Sequence, residues 1–153
     1  MTIPGILLAA HVLAAVAWVG GMLFAVAVLR PSLAVLDPPQ RLALHRQVFR
    51  RFFLVIWHAM PVALLTGWAL LFGWYGGFAG SPWHVHLMQL TALTMTAVFI
   101  SIVAGPWRTL RAAMDRGDPA EAASAVDRIR ARVQLNLALG VLTVAVAALG
   151  RFG

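Results

Sequence analysis

The chain contains no cysteine and no lysine. The first absence removes disulfides, thiolate metal sites and cysteine-ligated iron–sulfur clusters. The second leaves arginine as the source of all twelve basic residues and forbids lysine-dependent chemistry. Charge is scarce altogether: charged residues make up 11% of the chain and apolar residues 61%. Those values exclude an ordinary soluble domain, and at 153 residues the chain fits a single one, taken as 1–153.

Charge is also unevenly placed. Residues 1–29, 52–107 and 133–150 hold no Asp, Glu, Lys or Arg. A membrane helix needs about 20 apolar residues, so the first and last blocks each suit one span. The middle block is too long for one. It is broken by Gly73-Trp74-Tyr75-Gly76-Gly77-Phe78-Ala79-Gly80-Ser81-Pro82, a turn-forming run that divides it into two. The expected spans are 3–29, 52–73, 83–105 and 132–150. The first has no basic leader and is longer than a signal-peptide core, so it reads as a retained helix.

Arg30, Arg41, Arg46, Arg50 and Arg51 fall in the first connection, and Arg108, Arg111, Arg116, Arg128, Arg130 and Arg132 in the third. The second connection has no charge. Cytoplasmic loops carry an excess of basic residues, which predicts periplasmic termini, with Arg151 alone on the other side. The fold class is therefore all-α: an integral-membrane, up-down-up-down four-helix bundle of the bacterial inner membrane. Its arginines would meet anionic lipid at the cytoplasmic face. Nucleic acid is not needed to explain them. Whether the chain forms a homo-oligomer is open, because every span is apolar on most faces.

The basic connections read as structured. Asp37-Pro38-Pro39 offers a cap followed by proline, and Leu42, Val48, Phe49 and Phe52 recur among the arginines, as in an interfacial helix entering span two. Asp118 and Glu121 stand at capping-box spacing, from which a helix can run through Ile129 into span four. Gly105-Pro106 should kink or end span three.

Five histidines carry the chemistry of this sequence, and His11 lies in an uncharged span. Ionisable groups at membrane depth are costly and usually mark a ligand, an ion path or a proton relay. At about 1.5 Å of rise per residue His11 lies roughly 12 Å below the outer end of span one, and His86 and His84 roughly 8 and 5 Å below theirs. Spans one and three are diagonal in such a bundle, so His11 and His86 are placed to hold a haem iron between them. Trp18 and Met22 follow His11 on one helical face and would wall the ring. Gly20, Gly21 and Gly67 would leave room for close approach of such a ring or of a neighbouring helix, and Gln89 and Thr94 could bond a ring nitrogen or a propionate. The plainer reading is that both histidines bond between helices.

His58 sits about 9 Å in from the opposite end, where it is a relay residue beside Pro61 or a ligand of a second haem. His45 reads as solvated or headgroup-facing. His84, His86 and Met88 offer imidazole and thioether, a donor set that suits Cu(I), although residues two apart converge only if the helix is unwound. Met60 and Met95 could add thioethers but are ordinary gap fillers. Trp74, Trp83 and Trp107 fit the interfacial belt. Trp18, Trp57 and Trp68 fit the interior, and Gln134 and Asn136 should bond between helices.

His11 with Trp18-Val19-Gly20-Gly21, Arg30-Pro31, Pro39-Gln40-Arg41, Phe49-Arg50-Arg51-Phe52, Val85-His86-Leu87-Met88-Gln89 and the closing Gly150-Arg151-Phe152-Gly153 together resemble the short CopD-type inner-membrane proteins. That resemblance implies copper resistance or copper uptake. The first span is also similar to the HemJ family, which implies haem b at His11 and protoporphyrinogen oxidation. HemJ proteins use a lysine near the position of Met88, where this chain departs from them.

The residues themselves favour one haem b between His11 and His86, serving electron transfer with a quinone, a periplasmic redox protein or superoxide as partner. The competing expectation is a copper-binding or copper-transport protein using a periplasm-facing His84/His86/Met88 site. A third is a structural subunit whose histidines stitch helices together. Whether the chain is an enzyme is open.

Overall fold

A computed structural model describes residues 2–150, and every described element is helical. Helix α1 runs Ile3–Val35, α2 Pro38–Gly73, α3 Trp83–Ala104, α4 Pro106–Arg116 and α5 Pro119–Gly150. The stretches Ile3–Val35, Pro38–Gly73, Trp83–Arg116 and Pro119–Gly150 are each long and apolar enough to cross a membrane. The chain therefore has four membrane-spanning-capable helices and no strand among its described residues.

The helices outrun the uncharged blocks. Capped by Asp37, whose backbone N–H donates to Gln40 Oε1 at 3.3 Å, α2 carries its arginine-rich first half into the apolar second half without a break. α5 does the same from Asp118, whose Oδ1 accepts from the Glu121 N–H at 2.9 Å. The Glu121 side chain does not complete the expected capping box; it turns to Arg116 instead. Gly105-Pro106 ends α3 as expected, since proline has no N–H to continue the ladder. Gly117, at φ 71°, supplies the left-handed turn that closes α4.

α1 is not a uniform α-helix. It widens into π turns at Val16–Gly20 and Ala25–Leu29 and tightens into a 3-10 turn at Leu33–Val35. The second π turn directly precedes Arg30-Pro31. Proline cannot donate to the carbonyl four residues back and its ring crowds that carbonyl, so a locally wider turn lets the helix continue past residue 29.

α1 packs on α2, and α3 on α5. Small residues set how closely they approach: a Cβ on Gly21 would lie 2.6 Å from the Phe52 ring, and one on Gly140 2.8 Å from Val19 Cγ2. Gly20 has nothing within 4 Å, so it does not serve the close approach expected of it. Between α3 and α5, Thr143 Oγ1 donates to Thr91 Oγ1 at 2.6 Å, and Asn136 Nδ2 to the Met95 carbonyl at 3.0 Å. Asn136 thus bonds between helices as expected, whereas Gln134 is exposed.

The driest packing lies at the arginine-bearing end. Leu110, Ala113, Ala125 and Ile129 are fully buried where amphipathic α4 lies against α5. Phe53 meets Trp107 edge to face at 5.4 Å and Phe99 at 5.8 Å, which joins α2 to this core. Trp107 is therefore a core residue and not the interfacial aromatic expected. Trp57 and Trp68, expected inside, are partly exposed, as are Leu13, Phe24, Leu65 and Leu90. Such an apolar perimeter is what a lipid-facing surface requires.

Candidate metal centre

The candidate residues gather around the turn between α2 and α3. Pro82 precedes α3 in extended backbone, and the helix is regular from Trp83 onward. His84 and His86 therefore lie on different sides of an intact turn. The unwinding that would bring them together is not present.

Each has its own neighbour. The His84 imidazole lies against the backbone of Gly150 at the end of α5, so close that a Cβ there would overlap the ring. His86 is exposed and stacks on Phe78 of the turn, with ring centroids 6.2 Å apart. Met88 follows His84 by four residues, hence on the same helical face, where side chains stand about 5–6 Å apart at Cβ. Both are half-buried. The pair the fold offers is His84 with Met88, with His86 on the opposite side of the helix.

His11 faces α2. Its Nδ1 lies 2.8 Å from the Ala63 carbonyl and 3.1 Å from Thr66 Oγ1. A carbonyl only accepts, so Nδ1 carries the hydrogen and Nε2 is the free, lone-pair nitrogen. Gly67 makes room for the ring, since a Cβ there would stand 3.0 Å from His11 Cε1. That glycine gives its room to the imidazole of the facing helix. Its bonds, however, run to span two and not to His86 on span three.

The remaining candidates for a haem pocket are engaged elsewhere. Trp18 and Met22, at 4% and 2% exposure, belong to the main apolar core. Gln89 accepts a hydrogen bond from Trp68 Nε1 at 3.0 Å, tying α3 to α2. Thr94 turns back on the Leu90 carbonyl of its own helix. His58 likewise bonds its own helix, Nδ1 to the Leu54 carbonyl at 2.8 Å, and faces an open groove of about 610 Å³ lined by Ala10, Ala14 and Ala17 of α1. No group of three or more His, Asp or Glu side chains is placed to hold an ion among the described residues.

The sequence did not disclose Ala63 and Thr66 as partners of His11, Phe78 as that of His86, or Gly150 as that of His84. Helical spacing assigns a face but not what covers it. A second cluster was also missed. His45, expected to be solvated or headgroup-facing, is half-buried on Phe49 in a pocket that Arg30 and Arg130 also line.

Comparison with known proteins returns one family. No curated protein and no solved structure matches the chain. The family model for copper resistance protein D matches residues 46–149, about two-thirds of the sequence. The match takes in His58, His84, His86 and Met88; the first span, on which the likeness to HemJ rests, lies outside it, as do residues 151–153, which also fall outside the described structure. With four helices able to span a bilayer, this is a multi-pass inner-membrane protein, and it belongs to the CopD, or copper resistance protein D, family.

Proposed function

We propose that the protein handles copper at the membrane, taking Cu(I) as cargo through His84 and Met88 at the mouth of α3. The observation that carries this reading is that pair: imidazole and thioether on one face of an intact helix, half-buried beside Gly150. Soft donors select Cu(I) over harder ions, and the donor set fits that cargo. His86, on the opposite side of the helix against Phe78, stands outside the pair. The family match supports copper over other metals.

The same reading sets the orientation. The uncharged turn containing Phe78 would be periplasmic with both termini, and the arginine-rich ends of α2, α4 and α5 cytoplasmic, by the excess of basic residues in cytoplasmic loops. Contacts of His11 with Ala63, Trp68 with Gln89, and His84 with Gly150 support helices running alternately up and down.

The test is Cu(I) titration of the detergent-purified protein against a competing chelator, with His84→Ala/Met88→Leu alongside. The reading requires a stoichiometric site in the parent chain and its loss in the variant. Equal affinity in both would refute it.

Haem b with electron transfer to a quinone is the second reading, and one observation favours it. His11 is half-buried in a span with Nδ1 tied to a carbonyl, the arrangement that fixes the tautomer and orientation of a coordinating imidazole. A sharp Soret band lost in His11→Ala would establish it.

A further inference from the structure

At the end of the bundle opposite the histidine turn, three helices enclose a pocket. Ala25, Val26, Leu29 and Arg30 of α1, His45 and Phe49 of α2, and Arg130 and Gln134 of α5 line it. Its polar residues are two guanidinium groups, an imidazole and an amide. No carboxylate lines it. Arg130 Nη1 donates to Asp127 Oδ1 at 2.9 Å, and His45 Nδ1 donates to the Arg41 carbonyl at 2.8 Å. That leaves Arg130 its other donors and His45 its Nε2. Arg30 makes no ion pair among the described residues.

This is a demanding arrangement. Asp127 compensates Arg130 but not Arg30, which lines the pocket without an ion-pair partner among the described residues, and guanidinium groups match phosphate oxygens in a planar, two-pronged fashion. The enclosed space, about 30 Å³, is too small for a nucleotide and takes only part of a phosphate group, the rest of which would lie at its mouth beside exposed Arg30. The rest of the lining is aliphatic or aromatic. An inorganic anion has no use for such walls, whereas a lipid presents a phosphodiester and an acyl chain together.

We infer that this pocket is a specific site for the phosphodiester headgroup of an anionic membrane lipid, held by Arg30 and Arg130 with His45 and Gln134 beside them and its chain along α1. Bound there, the lipid would join α1, α2 and α5 where no described ion pair does so. Diffuse attraction of the arginine-rich loops to an anionic bilayer makes no such distinction among arginines. The inference does not depend on copper binding.

The experiment compares the delipidated full chain with Arg30→Gln and with Arg108→Gln. Arg30 has no ion-pair partner to lose, so its variant should fold; Arg108 is an exposed arginine of α4 outside the pocket. Lipid retention is counted by native mass spectrometry and thermal unfolding is followed in detergent, each with added phosphatidylglycerol, phosphatidylcholine or inorganic phosphate. The inference requires phosphatidylglycerol to bind the parent and Arg108→Gln alike and Arg30→Gln roughly fivefold more weakly. It is overturned if both variants weaken equally or neither does, since the attraction is then diffuse or elsewhere. Equal binding of phosphatidylcholine, which carries the same phosphodiester without net charge, would overturn the selectivity for an anionic lipid. Equal protection by inorganic phosphate would show a free-anion site in place of a lipid site.

Discussion

His84 and Gly150 are in direct contact: the imidazole at the start of α3 occupies the place where a side chain on the last described residue of α5 would begin. The overlap falls on the base of the histidine and not on a mobile tip, so a side chain at 150 cannot be accommodated by a small rotation. If His84 serves Cu(I), Gly150→Ala should turn the ring away and weaken copper binding on the order of tenfold, as loss of supporting contacts around metal ligands does. Helical content should stay unchanged. Chelator competition with circular dichroism checks both; unchanged copper affinity would remove Gly150 from the site.

Gly20 and Gly21 are neighbours in sequence and opposites in consequence. A Cβ at 21 would come within 2.6 Å of the Phe52 ring, while one at 20 meets nothing within 4 Å. Gly21→Ala should therefore destabilise the α1–α2 pair by about 1–3 kcal/mol through overpacking. Gly20→Ala should be neutral or slightly stabilising, because alanine is the better helix former. Thermal unfolding in one detergent measures the difference, and equal shifts would mean that α1 does not pack on Phe52.

These two glycines also mark what was legible in the sequence. Uncharged blocks and turn chemistry located four helices and the break at Gly105-Pro106, because a lone apolar segment satisfies its backbone in hydrocarbon by forming a helix and proline cannot donate to the ladder. Continuity of α2 and α5 through their arginines followed from Asp37 and Asp118. Rotation about each helix axis was not legible. Nearly every face of a membrane helix is apolar, so the pattern that orients a soluble helix is weak here. Depth alone suggested that His11 and His86 share a ligand; rotation turned one onto Ala63 and Thr66 and the other onto Phe78. The same missing coordinate put Trp18 and Met22 into the core, and Trp57 on the outside.

Asn136 separates packing from polar bonding inside the bundle. It is 2% exposed, Nδ2 bonds the Met95 carbonyl, and Oδ1 has no described hydrogen-bond partner. Asn136→Ala removes the interhelical bond and leaves a cavity, and should cost about 1–2 kcal/mol. Asn136→Leu removes the unpaired oxygen while filling the space, and should lie within about 1 kcal/mol of the parent. A leucine variant as damaged as the alanine variant would show that the amide is needed for more than its volume.

The spectrum of the purified protein decides between copper and haem. Under the copper reading, protein from cells supplied with haem precursors shows no Soret band, and His11→Ala binds Cu(I) like the parent. His11→Ala should still lose stability, by about 1 kcal/mol, because the Ala63 and Thr66 bonds to α1 disappear while their own helix satisfies the carbonyl and hydroxyl left behind. Haem predicts a reduced b-type spectrum near one haem per chain, abolished in His11→Ala. It further requires His86→Ala to abolish it, since otherwise the iron has another axial partner. In the present structure His86 would have to leave Phe78 and turn inward to serve, so a haem-loaded state should change the environment of Phe78. Retention of full haem in His86→Ala would assign the second axial position elsewhere.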